Sequence, residues 1–559
     1  MRAAASLCVF GTLILAAAPT EAQVLPGAVT PGRDRTGPLP PQNPDFDFSI
    51  VAPHRSAVPR AVDEVHFKLR DIKIVGVKTI PAEQFRALYA GMIGKDITLA
   101  DILNVADAIE AAYRDRGYPL VRAYVPPQRV KDGVFTINVA EGYLANIVVQ
   151  GADSRSAALI SGYLGDAKTE RPLRLAALER GLLLTNDIPG IKATGVLKPA
   201  ANTPGASDLV VDVAQPWITG GLAVDNRGSR FSGVWTVAGD VEINSIIGAD
   251  QLAGTVTVSP NSLEQVAGTV RYRTMIGDDG LVGSLIASIT HGEPGSTLSA
   301  AGVRTDSYAV GPRLTFPLVR KRAATLLLDG GVTVQDARIN VAGAPVSHDQ
   351  WRVADLGLSY QRQDVFGGVL SATLDVAQGL PGLGATPNHD PKLSRVGGVT
   401  DFTKVTGFAR LQLPLPSAFS VLLTTQGQYS FSPLITGEQI AFGGTQIGRG
   451  YDPGAITGDH GIGGSAELRY DQRIADSIVQ AVQPYLYFDA AQAWYVQRGL
   501  AISAALKDQN IASVGGGVRL WFPYDIAMGI EGARTLHAVP GSDAGKLATK
   551  LLVDLSVRF

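Results

Sequence analysis

Apolar and polar positions alternate in two different ways along this chain, and the pattern changes near residue 216. Before that point, strand-like runs are separated by helical ones. "FKLRDIKIVGV" from Phe67 alternates with the period of a strand, and "PAEQFRALYA" opens on Pro81 as a helix start. "TLADILNVADAIEAAYRDRGY" repeats its apolar residues at helical spacing up to Gly117. Strands are expected near Arg122–Val125 and Val134–Glu141. The same order then recurs: "YLANIVVQG" as a strand, Ser156–Leu164 and Pro172–Leu184 as helices, "GVLKP" and "DLVVDV" as strands. This predicts two similar α/β modules of roughly 75 residues, spanning 63–142 and 143–215, each with an exposed sheet edge.

From Trp217 to Phe559 the helical period disappears, and strand-like segments of about ten residues recur with turn chemistry between them. In "KLLVDLSVRF", Leu551, Val553, Leu555, Val557 and Phe559 share one face, opposite Asp554, Ser556 and Arg558, with Leu552 as the exception. In "AFSVLLTTQGQYS", Phe419, Val421, Leu423 and Tyr429 oppose Ser420, Thr424, Gln426 and Gln428. A soluble sandwich would alternate as well, so the connections decide. The sixteen candidate strands are joined by short turns ("GDDG", "PLVRK", "FGG", "PLPS", "FPYD") and by long loops. The long ones are Glu293–Asp306, Arg338–Asp349, Gly379–Asp401, Val496–Asn510 and Leu536–Gly545. Loops long at one end and short at the other mark a membrane barrel with an even strand number, and the closing strand ends on an aromatic residue. The expected fold is membrane all-β: a 16-stranded antiparallel transmembrane β-barrel over 216–559, preceded by the two α/β modules.

The N-terminus fits an exported chain. Arg2, an apolar run from Ala3 to Ala18, Pro19 and small residues to Ala22 read as a secretory signal peptide over 1–22. Cys8, the sole cysteine, lies inside it, which leaves neither disulfides nor thiolate metal sites in the mature chain. Residues 23–62 carry eight prolines and read as an extended linker or plug segment. No second run reaches the roughly 18 apolar residues of a membrane helix. A net charge of -2 gives no reason to expect a nucleic-acid partner. The seven histidines are scattered without metalloprotease spacing, and His460 is expected to be solvated. No phosphate-binding glycine loop is present. An enzyme, a metal site and a cofactor are therefore not expected.

One loop, roughly Phe431–Ile462, stands out for length and glycine content, and "GGTQIGRGYDPG" places Arg449 and Tyr451 at its middle. Strand order puts it between strands eleven and twelve on the outer side. In "QPYLYFDAAQAW", Tyr485, Tyr487, Asp489 and Ala491 share the face opposite Leu486, Phe488 and Ala490. The apolar set faces lipid, so Asp489 and Tyr487 face the lumen, as do Glu467 and Arg469 by the same parity. Alternation alone leaves Arg449 either solvated in an outer loop or paired with Asp489 inside the barrel.

These residues resemble the two-partner secretion transporters (TpsB type, haemolysin activation/secretion protein-like) of bacterial outer membranes. "YVPPQRVKDGVFTINVAEGYLANIVVQG" is similar to the end of the family's first POTRA domain running into its second. "DNRGSRFSG" (Asp225–Gly233) resembles the first barrel hairpin, and "GRGYDPGAITGDHGIGGSAELRY" the Arg-Gly-Tyr loop tip with its following strand. The resemblance implies that the loop folds into the lumen, with Arg449, Gly450 and Tyr451 at its tip and Arg449 paired to Asp489. The family's Phe-x-Asp-x-Gly wall motif reads here as Tyr487 to Ala491, with tyrosine for phenylalanine and alanine for glycine. It implies POTRA domains in the periplasm, with a partner-binding region within Phe67–Val213, and a barrel in outer-membrane lipid. The implied cargo is a large secreted exoprotein with an N-terminal secretion domain. A family plug helix would sit in 23–62, where the prolines predict at most a short or irregular plug. A barrel-assembly factor usually carries more POTRA units than the two for which there is room here. A diffusion porin needs none.

Overall fold

The computed structural model describes residues 48–50, 66–130, 132–200, 205–260, 264–475, 478–496, 508–539 and 547–559. The signal-peptide expectation, and that of a plug except for Phe48–Ile50, lie outside the described residues.

The first module builds a sheet in the order Asp71–Val75, Val134–Ala140, Arg122–Tyr124, the first pair parallel and the second antiparallel. Helix α1 (Leu99–Asp115) packs on it. Thr98 starts the helix with a capping box: its hydroxyl accepts from the Asp101 N–H, and the Asp101 carboxylate accepts from the Thr98 N–H. The helix expected from Pro81 is instead a 3-10 segment, Ala82–Leu88. Pro81 offers no side-chain cap and only Phe85 of the segment is buried, so little apolar burial supports longer α-helix there.

Glu141 ties this module together. It accepts from the N–H groups of Lys78 and Thr79 at 2.9 and 2.8 Å and from the hydroxyl of fully buried Tyr113 at 2.7 Å. Burial pushes its carboxyl up, but these hydrogen bonds outweigh that and hold it below the usual carboxylate range.

In the second module the sheet order is Phe48–Ile50, Lys192–Pro199, Ala206–Ala214, Tyr143–Gln150. Helices α2 (Ser154–Tyr163), α3 (Gly165–Thr169) and α4 (Leu175–Asp187) pack against it. The edge along Lys192–Pro199 is covered, since Phe48–Ile50 pairs with Gly195–Leu197 in parallel, and Tyr143–Gln150 ends the sheet on the other side. An edge strand carries unpaired N–H and C=O groups, and any extended stretch of chain can satisfy them.

Seventeen hydrogen-bonded segments close into the barrel; His460–Tyr470 and Gln472–Arg473 are one strand interrupted at Asp471, which leaves sixteen. The outward face is apolar, with Leu486 at 66% and Phe488 at 51% exposure, whereas inward-facing Asp489 is at 0%. The expected long loop Arg338–Asp349 does not exist. Its strands run on to Val341 and resume at Ala344 through Ala342–Gly343, both with positive φ. That two-residue turn suits the twist of a hairpin, so the strands, 18 and 22 residues long, extend past the roughly ten a membrane crossing needs.

The second module is joined to the barrel mouth by buried polar contacts. Arg320, fully buried in the strand Val303–Arg320, donates from Nε and Nη2 to the two carboxylate oxygens of Asp187 at the end of α4, both at 2.7 Å. Asp153, the N-cap of α2, accepts from the hydroxyl of Ser245 on a barrel turn at 2.6 Å and from Gln215 at 3.1 Å. Burial raises the Asp153 carboxyl, but the hydroxyls of Ser156 and Ser245 with the Ser156 N–H lower it well below the usual range. Ala249 and Met275 of the barrel complete the apolar core of this module.

Two outcomes are expected. Removing the Asp187 carboxylate takes both fork contacts from the buried Arg320 guanidinium, at a cost of about 3–5 kcal/mol. Asp187→Ala should therefore broaden spin-label distances between the second module and the barrel, with the first module's own fold unchanged. The Glu141 contribution is present above an unfolded pKa of about 4.3 and is lost as pH falls through its lower folded value. Amide exchange in α1 should thus accelerate as pH falls below about 4. Glu141→Ala, which strands the Tyr113 hydroxyl, should destabilise the module by about 1–3 kcal/mol at neutral pH.

Candidate functional site

The loop after the strand Phe419–Ser430 turns into the barrel rather than away from it. Ile440–Phe442 and Ile456–Gly458 pair as a short antiparallel ribbon, and the chain between them forms the tip. Gly443 adopts φ +108°, and a Cβ there would stand 2.2 Å from the Asp452 carbonyl oxygen, so glycine is required for the tip to close. Apolar residues of the ribbon and tip, Phe442, Ile447, Tyr451 and Ile456, are buried against Ala491, Ala493 and Ile511 of the wall.

This geometry delivers Arg449 to the wall. Its Nε and Nη2 donate to Oδ2 and Oδ1 of Asp489, each at 3.1 Å, and its backbone N–H donates to Oδ2 at 3.1 Å. Its Nη1 donates to Glu467 Oε2 at 2.6 Å and its Nη2 to the Ser465 hydroxyl at 3.1 Å. The guanidinium lies 3.3 Å above the ring centroid of Tyr487. A bidentate fork, a second carboxylate and an aromatic face together replace the water that a buried arginine loses.

The other sequence-derived residues divide between this centre and its surroundings. Glu467 is shared: beyond Arg449 it accepts from Arg469 Nε at 2.6 Å and from Arg519 Nη1 at 2.8 Å. Arg469 therefore bonds to Glu467 and not to the loop. Gly450 lets the tip approach the neighbouring wall, where a Cβ would stand 3.0 Å from that of Ser513. Tyr451 points elsewhere, its hydroxyl 2.7 Å from the His537 carbonyl and 2.9 Å from that of Ala512. His460 is not solvated as expected. It is buried between the rings of Tyr429 and Trp494, with centroids at 4.6 and 5.6 Å, and its Nδ1 accepts from the Ser430 N–H.

Alanine at position 491 is accommodated by the adjacent strand. Gly463 stands opposite it in register, where a Cβ would lie 2.9 Å from the Ala491 methyl. Similarly, Gly515 and Gly517 leave room for the rings of Tyr487 and Tyr485, whose hydroxyls donate to Glu531 at 3.0 and 2.6 Å. Glu531 and Arg519 are not among the sequence-derived site residues. Both obey the inward parity of their strands, so alternation could have found them. Arg227, from the first hairpin, reaches Glu531 at 3.5 Å and Asp554 at 3.0 Å. Among the described residues no cluster of His, Cys, Asp and Glu could hold a metal ion.

Comparison with known proteins agrees with this architecture. A profile of the haemolysin secretion/activation protein family ShlB/FhaC/HecB matches residues 205–520. A second profile, for the ShlB-type POTRA domain, matches residues 67–142. The heme/hemopexin transporter protein HuxB of Haemophilus influenzae (strain 86-028NP) is 21% identical over 492 residues, which cover 85% of this chain and 84% of that protein. The hemolysin transporter protein ShlB of Serratia marcescens is 26% identical over 431 residues, covering 74% and 73%. The solved structure of CdiB from Escherichia coli matches with a TM-score of 0.67 at 20% identity, over 91% of this chain and 93% of its own, which shows a common fold. The barrel thus lies in the outer membrane, with the POTRA side in the periplasm. The chain belongs to the haemolysin secretion/activation protein family, the outer-membrane transporters of two-partner secretion.

Proposed function

We propose that this chain exports one large partner exoprotein, and that the inward-folded loop at Arg449 is the element that must yield for the partner to pass. The observation that carries this reading is the loop itself. It occupies the lumen and is held there by a compact charge network instead of by apolar packing alone. Arg449, Arg469, Arg519 and Arg227 face Glu467, Asp489, Glu531 and Asp554. Such contacts can be exchanged one at a time for contacts with a passing extended chain.

The division into two POTRA modules, 63–142 and 143–215, belongs to the same proposal. They would receive the partner's N-terminal secretion domain in extended form, within Phe67–Val213. The strand Arg122–Tyr124 ends the first module's sheet, and strand addition at such an edge gives affinity through main-chain hydrogen bonds with little demand on sequence. Folding of the partner outside would make its return costly, so the step needs no nucleotide.

The functional test compares secreted and outer-membrane proteins with and without the gene. Selective loss of one large secreted protein is expected. Broad depletion of other barrels would mean an assembly factor instead. At the site, Arg449→Ala removes one member of a buried ion pair, a loss of about 3–5 kcal/mol in loop anchoring. Secretion should fall at least tenfold while the barrel keeps its heat-modifiable mobility on gels. Arg449→Lys, a point charge without the fork, should restore only part of it. Unchanged secretion in Arg449→Ala would end the assignment of this residue.

A further inference from the structure

The loop that carries Arg449 has a second buried charge, and it faces another part of the wall. Glu438, fully buried, accepts from the indole N–H of Trp351 at 2.6 Å, and Lys404 Nζ lies 2.9 Å from its other oxygen. The backbone carbonyl of Glu438 accepts from Lys404 Nζ at 2.7 Å and from Gln428 Nε2 at 3.1 Å. Trp351 is itself fully buried, so its N–H has no route to bulk water. Leu434 and Ile435, just before Glu438, are completely buried with Trp351, Val353 and Phe402.

These partners sit on other strands than the Arg449 contacts: Glu467 and Ser465 are on His460–Tyr470, two strand positions from Lys404 and four from Trp351. Trp351 is on Ala344–Val365 and Lys404 on Thr403–Pro414, whereas Asp489 is on Ala481–Trp494. Five strand positions of the sixteen separate the strand of Trp351 from that of Asp489. Between the two charges along the chain lie Gly443 and Gly444, with φ of +108° and +98°. Besides the packing of its ribbon, the Tyr451 contacts and the Asp459–Arg395 pair, the loop thus has buried charges bound to two different parts of the wall, with a glycine pair between them.

We propose that Glu438 is a positioning residue that clamps the near limb of the loop, so that loss of the Arg449 contacts frees only the tip beyond Gly443. The loop then opens in two stages about the glycine pair, and complete clearance of the lumen requires both charges to let go. Its bearing on transport rests on the export reading above; the two-point clamp does not.

The test uses the purified full-length protein without a partner. Nitroxide labels at Ala300→Cys with Thr436→Cys report the near limb, and Ala300→Cys with Gln446→Cys the tip. Arg449→Ala should broaden the tip distances and leave the near limb narrow. Glu438→Ala should broaden the near limb, and Glu438→Gln, which keeps an acceptor for Trp351, should restore much of the narrow distribution. The double variant should broaden both and raise single-channel conductance severalfold above either single variant. Should Glu438→Ala fail to assemble, Lys404→Met and Trp351→Phe each remove one partner and should broaden the near limb to a lesser degree. A near limb released by Arg449→Ala alone, or one that stays narrow when Glu438 or both of its partners are altered, would overturn the clamp. Failure of the secretion test with the split in distances intact would leave the clamp standing and remove only the export reading.

Discussion

The bidentate contact between Arg449 and Asp489 is the constraint around which the lumen is arranged. A guanidinium withdrawn from water inside a membrane barrel is tolerated only where carboxylates and further acceptors replace its hydration. Here Asp489 supplies the fork, Glu467 and Ser465 take the remaining donors, and Tyr487 covers one face. Each of those groups then has needs of its own. Glu467 draws in Arg469 and Arg519, and the Tyr487 hydroxyl donates a hydrogen bond to Glu531, which also receives Arg227. The glycines at 515 and 517 follow from the same arrangement, since any side chain there would occupy the space of the tyrosine rings.

The periplasmic end solves a related problem with fewer groups. Arg320 is buried where the barrel meets the second α/β module, and Asp187 at the end of α4 is its fork partner. Asp153 binds the Ser245 turn from the opposite end of the module's helical layer. Directional polar contacts of this kind fix an angle, which the apolar surface shared through Ala249 and Met275 would not do by itself. The second module therefore behaves as an extension of the barrel wall, and the first is carried on it.

The two sheets differ in how their edges are used. In the first module Arg122–Tyr124 ends the sheet, whereas in the second Phe48–Ile50 already lies along Lys192–Pro199. On the first edge the Ala123 N–H already donates to Glu110 at 3.0 Å, and in the second module it is the opposite strand, Tyr143–Gln150, that ends the sheet. The pairing of Phe48–Ile50 fits the proline-rich composition around it, because an extended chain is what a sheet edge accepts.

Alternation along each barrel strand was enough to direct Tyr485, Tyr487 and Asp489 inward and Leu486 and Phe488 outward. A pleated strand has a period of two, whatever surrounds it. Loop-length asymmetry likewise made the barrel and its strand number legible, because a short turn and a long loop differ in sequence. Helix α1 was legible through its apolar spacing and the glycine that ends it. The 3-10 segment after Pro81 was not, since it depended on how little of that segment the core would bury. The turn at Ala342–Gly343 was hidden inside what reads as a polar loop, because strands continuing beyond the membrane no longer need apolar faces. Apart from Arg449 with Asp489, which the family resemblance implies, pairing was decided only by the tertiary structure. Glu438 sits in a loop without periodicity, and nothing near it in the sequence points to Trp351 or Lys404. Glu531 shares the inward parity of Asp489, but which inward residue meets which depends on strand register, tilt and the path of the loop. Sequence by itself determined which side of the wall each residue faces, a local property of the backbone. Only the closed barrel decided which charges meet, because those contacts join segments whose distance in space is set by the whole ring.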